Sequence, residues 1–328
     1  MTAESLDVQT GTVLADFEPD DYDRRILAHL QEDGRRPYMS IARDIGITEK
    51  TVRARVRHLL ESGVIQIVPL CSPYAMGYTA CAMVGIRCKP GTDEAQLAQN
   101  LSDIPQVDYV TQSHGRFTLL VEIIAVDSRE MQQVLQKRIG QLPDIESYEV
   151  FPYFSVFYQQ AATSKVGDGP ALHGVSDTPM TAFDRALVEV LYEDGRMSFK
   201  TIADRLGVSE TKVRQRVQDM IAQRQVHILA ILNPMNLRER KIAWLAIRAA
   251  SGHKLRDLAT HLSQNPNVSY VAICAGRFDL FAEVICPSGE DLLTLVDEGI
   301  RNTQGVGRVE IFPYSALYYK RLRPIPAA

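Results

Sequence analysis

No stretch of eighteen consecutive apolar residues occurs in this 328-residue chain, which excludes a membrane-spanning helix, and no membrane partner is expected. Cysteine is scarce. The five present, Cys71, Cys81, Cys88, Cys274 and Cys286, form no C-x-x-C pair, so zinc-ribbon and dithiol redox chemistry are excluded. Most of them lie in apolar runs, as buried thiols do. Residues 1–18 contain no basic residue and no apolar block of leader length, so no secretory signal is expected and a cytoplasmic location is. Cationic excess is missing too: 36 Lys and Arg against 40 Asp and Glu leave a net charge of −4. A generally basic nucleic-acid coat is excluded, and any DNA-binding charge has to be concentrated locally. Metalloprotease, phosphate-loop and nucleophile-elbow motifs are absent, so no catalytic residue, metal or cofactor is expected. What remains is a globular composition, 45% hydrophobic and 23% charged, in a chain long enough for about two to four domains.

The chain repeats itself. Glu32-Asp33-Gly34-Arg35 recurs as Glu193-Asp194-Gly195-Arg196, Gly115-Arg116-Phe117 as Gly276-Arg277-Phe278, and Phe151-Pro152-Tyr153 as Phe312-Pro313-Tyr314. Ile41-Ala42, Gly46 and Val52-Arg53-x-Arg55-Val56 recur as Ile202-Ala203, Gly207 and Val213-Arg214-x-Arg216-Val217. Every pair keeps one offset of 161 residues, as from Glu32 to Glu193. An offset that never slips means a tandem duplication without insertions. Between the copies, the small, polar, Gly- and Pro-containing stretch 160–181 reads as a flexible linker.

Each copy opens with three helical segments. In copy one, apolar positions 22, 26, 27 and 30 follow Asp20 and Asp21, either of which can cap a first helix. A second short helix over 39–45 turns Ile41, Ala42 and Ile45 inward and ends at Gly46, which takes a positive φ. Thr48 caps a third helix over 49–61 with the stripe Val52, Val56, Leu59 and Leu60. In copy two Ser209 is the cap, and Val213, Val217, Met220 and Ile221 form the stripe. Two short helices joined by a glycine turn form a helix-turn-helix. The third helix carries Lys50, Arg53, Arg55 and Arg57, with Lys212, Arg214 and Arg216 in copy two. Such a helix fits the major groove of double-stranded DNA, where arginine contacts guanine edges or phosphates. The candidate DNA-binding residues are therefore Thr48, Lys50, Thr51, Arg53, Arg55, Arg57, Ser209, Thr211, Lys212, Arg214 and Arg216.

The remaining hundred residues of each copy begin with a β run over 65–70. Strands and helices then alternate over 79–88, 93–101, 107–113, 117–126, 128–139 and 145–157, and again over 242–249, 254–263, 268–274, 278–285, 290–301 and 309–319. The order βαββαβ is ferredoxin-like. The fold class is α+β: a duplicated unit of a winged-helix-like, all-α helix-turn-helix and a ferredoxin-like ligand-binding domain. The expected boundaries are an N-terminal tail 1–19, helix-turn-helix 20–64, hinge 65–78, ferredoxin-like domain 79–159, linker 160–181, helix-turn-helix 182–225, hinge 226–240, ferredoxin-like domain 241–321 and C-terminal tail 322–328. A sheet with helices on one face needs a partner for the other. The last strand of copy one, with Val150, Phe151, Tyr153, Phe154, Val156, Phe157 and Tyr158, reads as covered on both faces. The partner is either the other copy or a second chain.

These motifs together resemble the leucine-responsive/asparagine-operon (Lrp/AsnC) regulators: Asp23, Leu27 and Leu30 before D-G-R, then I-A…G-[IV]-[TS]-x-x-x-V-x-x-R-V, then G-R-F-[DT]-L before an apolar strand. The resemblance covers nearly the whole chain and implies DNA binding, a small-molecule effector, an amino acid above all, and homo-oligomers. The chain departs from the usual member in being a tandem double, which implies two unlike DNA readers and an asymmetric operator. By the resemblance, the effector site lies at the turn between the second and third strands of the ligand domain. That turn is His114, Gly115, Arg116, Phe117 and Thr118 in copy one, and Ala275, Gly276, Arg277, Phe278 and Asp279 in copy two. There glycine frees backbone N–H groups for a carboxylate, arginine adds a cation, and aspartate accepts an ammonium. Two other readings stay open. Some tetrapyrrole decarboxylases of the sirohaem type resemble this family, and would need basic residues such as Arg87, Arg116, Arg248 and Arg277 to converge. A metabolite-binding scaffold without DNA binding is the other.

Overall fold

The computed structural model describes residues 9–11, 17–158, 175–232, 240–319 and 324–325. Most of the expected linker, 160–174, lies outside them, as does much of both tails and of the second hinge. Among the described residues no helix is long and apolar enough to cross a membrane. After a short strand β1 (Gln9–Gly11), copy one forms α1 (Asp21–Glu32), α2 (Tyr38–Ile45), α3 (Glu49–Glu61) and β2 (Ile65–Leu70). It continues with β3 (Ala80–Cys88), α4 (Glu94–Ser102), β4 (Val107–Ser113), β5 (Leu119–Ala125), α5 (Ser128–Gln133) and β6 (Ile145–Tyr158). Copy two repeats the order as α6 (Ala182–Glu193), α7 (Phe199–Leu206), α8 (Glu210–Ala222), β7 (His227–Leu232), β8 (Lys241–Ala249), α9 (Leu255–Ser263), β9 (Val268–Cys274), β10 (Leu280–Cys286), α10 (Gly289–Thr294) and β11 (Val306–Tyr319). The helices expected over 128–139 and 290–301 widen halfway into π-helical turns, Val134–Ile139 and Leu295–Ile300.

Like packs with like across the copies, giving two compact units, one of sheets and one of helix triplets. In the sheet unit the strand order is β11-β4-β5-β3-β6-β9-β10-β8, and β8 pairs back with β11. This is a closed, antiparallel eight-stranded barrel, so the partner that each sheet needs is the other copy. β1 adds to β11 at Leu317–Tyr319. The long last strands change partner in mid-course. β6 runs beside β3 as far as Pro152 and beside β9 from Tyr153, and β11 runs beside β8 as far as Pro313 and beside β4 from Tyr314. A proline has no N–H to pair, so it is tolerated where the ladder breaks. Its carbonyl is still used: Ala275 N donates to Pro152 O at 3.0 Å and His114 N to Pro313 O at 2.9 Å. Phe154, expected to be covered, is 69% exposed, because the strand turns its alternate face outward after the crossing.

Outside the barrel each copy packs its helices on the aliphatic face of its own sheet, with Val84, Ile86, Leu97, Leu101 and Val121 in copy one and Leu245, Ile247, Leu258, Leu262 and Val284 in copy two. Inside lie Phe117, Phe151, Phe278, Phe281, Phe312 and Trp244, in mutual ring contact at centroid distances of 5.2–6.4 Å. Gly85 leaves the room that Phe117 fills, since a Cβ there would lie 2.6 Å from its ring.

Two glutamates also face the interior, each held by tyrosines of both copies. Tyr270 Oη donates to Glu122 Oε1 at 2.8 Å. Tyr314 Oη donates to Glu283 Oε1 at 2.6 Å, Tyr109 Oη donates to the same oxygen, and Ser269 Oγ donates to Oε2 at 2.5 Å. Glu122 is only 7% exposed. Burial pushes its carboxyl up, the hydroxyls of Tyr270 and Tyr153 draw it back, the Glu283 charge raises it again, and it settles at about 7. The folded state therefore holds this proton more tightly than the unfolded chain does. Its contribution to stability is complete below the ordinary glutamate range and is lost as pH rises through about 7. The loss is on the order of 3 kcal/mol. Urea unfolding midpoints measured from the ordinary glutamate range up to about pH 7 are expected to fall with rising pH in the parent and to flatten in Glu122→Gln. An equally steep fall in the variant would contradict this assignment.

Candidate functional site

The helix triplets begin from well-defined caps. Asp20 accepts from Asp23 N at 2.8 Å while the Asp23 carboxylate accepts from Asp20 N, a reciprocal box that Thr181 and Asp184 repeat in copy two. Such boxes satisfy two orphan N–H groups at once. Gly46 (φ 77°) and Gly207 (φ 65°) end α2 and α7 in the left-handed conformation. Thr48 and Ser209 cap α3 and α8 through the N–H groups of Thr51 and Lys212. Val52, Val56 and Leu59, with Val213, Val217 and Met220, are buried. Tyr22, Leu60 and Ile221, expected on the inward stripes, are 40–42% exposed because they flank the buried face rather than lie on it.

The cations of α3 and α8 divide into two sets. Arg55 donates at 2.8 Å to both Asp20 and Asp23, and Arg216 grips Asp184 through both carboxylate oxygens at 2.5 and 2.7 Å. Asp184 has no exposed surface. Burial pushes its carboxyl up, yet the hydrogen bonds from Arg216 and Thr181 outweigh that and hold it below the usual range. These two arginines point back to the N-termini of α1 and α6, which corrects the expectation that grouped them with outward-facing cations. Arg53 and Arg214 lie on the exposed side, paired four residues back with Glu49 and Glu210 at 2.7 and 2.6 Å. Their guanidiniums stack on Tyr38 and Phe199, the first residues of α2 and α7, at 5.2 and 4.9 Å. Lys212 lies 4.7 Å over Phe183. Lys50, Arg57, Thr51 and Thr211 are exposed, and Lys50 and Arg57 have no ion pair among the described residues. Copy two has Thr211 and Gln218 at the positions of Lys50 and Arg57.

The G-R-F turns lie at the seam between copies. Gly115 (φ 131°) and Gly276 (φ 124°) require glycine for their backbone conformation, and each rests on a phenylalanine of the other copy, Phe312 and Phe151. Arg116 forks onto Glu310 at 3.0 and 3.3 Å, and Arg277 onto Glu149 at 2.9 and 3.1 Å. Phe117 and Phe278 are 3% and 2% exposed, so they belong to the barrel core rather than to a surface that meets a ligand. Asp279, expected to be free for an ammonium, already accepts from Ala249 N at 2.8 Å and from Arg248 at 3.1 Å. Thr118 instead accepts from Cys88 N at 3.2 Å. His114 is exposed and Ala275 half-buried. Among the described residues no cluster of three His, Cys, Asp or Glu could hold a metal ion. Glu149, Glu310 and Asp184 were not singled out from the sequence, and Asp23 only as a motif residue, although their recurrence at the 161-residue offset was there to be found.

Comparison with known proteins follows the same division. The model of the AsnC-type helix-turn-helix domain matches residues 20–60 and again 180–221. That of the Lrp/AsnC ligand binding domain matches 81–163, and that of the PF0864 C-terminal dimeric alpha+beta barrel domain matches 249–322. An HTH-type transcriptional regulator of Pyrococcus furiosus is 34% identical over 131 residues, 88% of its length and 40% of this chain. The regulatory protein AsnC of Haemophilus influenzae is 26% identical over 131 residues, 87% of its length and 40% of this chain. Among solved structures, the siroheme decarboxylase NirDL matches 93% of this chain and 94% of its own with a TM-score of 0.60 at 16% identity, a likeness of fold.

Replacing Arg216 by Met leaves the buried Asp184 carboxylate unpaired and is expected to cost about 3 kcal/mol. Replacing the exposed Arg57 by Gln should change stability by less than about 0.5 kcal/mol. Urea unfolding of both variants checks the division, and equal effects would overturn it.

Proposed function

Because this chain belongs to the Lrp/AsnC family and follows each of two AsnC-type helix-turn-helix domains with a βαββαβ domain, we propose that it is a sequence-specific DNA-binding transcription regulator that responds to a small effector of the amino-acid class. The observation that carries the reading is the division of charge on α3 and α8. In each helix one arginine is spent on holding the helix, and the cations that remain face outward from a capped, glycine-terminated helix-turn-helix. Lys50, Thr51, Arg53 and Arg57, with Thr211, Lys212 and Arg214, are the groups that meet DNA, while Arg55 and Arg216 position them. The caps Thr48 and Ser209 bring the first backbone N–H groups toward phosphate. Three outward cations on α3 (Lys50, Arg53, Arg57) against two on α8 (Lys212, Arg214) make the two readers unequal, so the operator has unlike half-sites. The place of work is the cytoplasm.

The effector meets the outward parts of the turns, His114, Gly115 and Arg116 in copy one and Ala275, Gly276 and Arg277 in copy two. Each arginine there is paired with a glutamate of the other copy, so an effector carboxylate that competes for Arg116 or Arg277 acts directly on the seam. Assembly of several chains is part of this reading.

The full-length likeness to a siroheme decarboxylase favours a second reading, decarboxylation of a tetrapyrrole carboxylate. Against it, the four arginines singled out to hold a polycarboxylate already face carboxylates of this chain: Arg116 pairs with Glu310, Arg248 with Asp279 and Arg277 with Glu149, and Arg87 stands 3.9 Å from Glu146. A Soret band in the purified protein, together with failure to bind DNA, would favour the enzyme.

Selection of the full chain on a random duplex pool is expected to enrich two unlike half-sites, with the enrichment shifted by a mixture of amino acids. Binding should weaken steeply with salt as counterions are released, and Arg57→Gln should lower the slope of log affinity against log salt by about one. No enrichment at low salt would sink the regulator reading.

A further inference from the structure

The recurrent turns Glu32-Asp33-Gly34-Arg35 and Glu193-Asp194-Gly195-Arg196 are not used by the reading above, yet they join the two copies of the helical unit to each other. The aspartates shape them: Asp33 and Asp194 each accept from the arginine N–H two residues on, at 2.8 Å. The glycines let them sit down on the two-stranded ribbon of β2 and β7. Gly34 N donates to Ile228 O at 2.8 Å and Gly195 N to Ile67 O at 3.0 Å, so each turn docks on the strand of the other copy. A Cβ on Gly34 would lie 2.8 Å from Leu229 Cα, and one on Gly195 would lie 2.5 Å from Ile67 O. These neighbours are backbone, which cannot give way, so only glycine fits.

The arginines then cross. Arg35 donates to Gly195 O at 2.6 Å and Met197 O at 2.9 Å, while Arg196 donates to Gly34 O at 2.5 Å and Arg36 O at 3.0 Å. A planar guanidinium can bridge two carbonyls in this way, and an ammonium cannot hold the same geometry. Each also stacks on a ring that carries a cation of a recognition helix. Arg196 lies 4.1 Å over Tyr38, whose ring also carries Arg53 of α3, and Arg35 lies 4.4 Å over Phe199, whose ring also carries Arg214 of α8. Burial, and then the nearby Arg196 charge, pull Arg35 below the usual arginine value. The fold therefore keeps two guanidiniums close together at a cost.

From these contacts we infer that Arg35 and Arg196 form a reciprocal clasp that fixes the separation and phase of the two recognition helices, and so sets the half-site spacing the protein accepts. They are positioning residues, linked to α3 and α8 through Tyr38 and Phe199. The inference rests on the DNA-binding reading for its consequence, but the clasp itself can be tested without DNA.

The test uses the full chain on duplexes whose two selected half-sites are moved apart one base pair at a time across one helical turn, about 10 base pairs. Duplexes with a single half-site serve as the reference. The parent should prefer one spacing by about tenfold over sites half a turn out of phase, a difference of roughly 1.4 kcal/mol. Arg35→Gln with Arg196→Gln should flatten this preference to within about threefold while leaving single half-site affinity within about twofold. Arg35→Lys with Arg196→Lys keeps the charge and the packed stems, and is expected to flatten the profile too. It serves if the glutamine pair does not fold. A variant that keeps the parent's spacing profile overturns the inference, and so does one that loses half-site and paired-site binding in parallel. If the parent binds no duplex, the DNA reading fails and the clasp is decided separately. Spin labels at A54C and Q215C, with C88S removing the half-buried thiol, should give one narrow distance in the parent and a broad distribution in the double variant. An unchanged width would overturn the clasp as well.

Discussion

A strand at the edge of a sheet leaves a row of N–H and C=O groups that must find partners or water, and this constraint organises the whole sheet unit. The βαββαβ order covers one face of each sheet with helices but leaves the outer edge of the second strand, β4 or β9, and the far half of the last strand, β6 or β11, without a neighbour in its own copy. Each copy supplies what the other lacks: β6 takes β9 and β11 takes β4. Closure of the barrel leaves neither seam open. The repeated Phe-Pro-Tyr motif occupies the crossing, with its proline where the ladder changes partner, its phenylalanine in the interior and its tyrosine facing a buried glutamate. Fusion of the copies into one chain makes this pairing intramolecular, so it does not depend on protein concentration.

The local elements could be read from the sequence because local chemistry decides them. Thr48 and Ser209 as caps, Gly46 and Gly207 as helix ends, and the strand order in each copy follow from residue type and spacing. The pairing of the copies could not be read in this way. A repeat shows that two segments are alike but does not say whether they meet each other or a second chain. Some signals were present and had no local meaning. Glu122 in Leu-Leu-Val-Glu-Ile-Ile-Ala and Glu283 in Leu-Phe-Ala-Glu-Val-Ile-Cys are single acids inside otherwise apolar strands, which implies a buried partner whose identity is non-local. Arg55 looked like one cation among four. It stands three residues after Val52 and beside Val56, on the border of the buried stripe, where it can turn back to the cap of α1.

The two units solve one problem by the same means. In both, a glycine turn of one copy lies against the other copy and an arginine next to the glycine reaches across. Gly34-Arg35 and Gly195-Arg196 meet backbone carbonyls, and Gly115-Arg116 and Gly276-Arg277 meet Glu310 and Glu149. The acceptors differ in a way that matters. Backbone carbonyls belong to the chain itself and cannot be removed by substitution, which suits a permanent geometry. A surface glutamate–arginine pair in partly exposed surroundings contributes little net stability, so another carboxylate can replace it cheaply, which suits a contact that responds to a ligand.

Comparison of the copies within the chain separates scaffold from variation. Several residues that reach into the other copy are the same in both: Gly34 and Gly195, Arg35 and Arg196, Tyr109 and Tyr270, Glu149 and Glu310, Phe151 and Phe312. The aspartate–arginine locks that hold α3 and α8 are the same as well. Outward positions on the helix triplets and turns differ: Arg43 against Asp204, Lys50 against Thr211, Arg57 against Gln218, His114 against Ala275. An exchange on the inward set would have to be matched by its partner in the other copy, because the contact is reciprocal. An outward residue has no such partner and can change alone. Two halves held to one geometry by their mutual contacts can therefore carry unlike surfaces, and this freedom, absent from a pair of identical chains, is the physical consequence of joining the copies end to end.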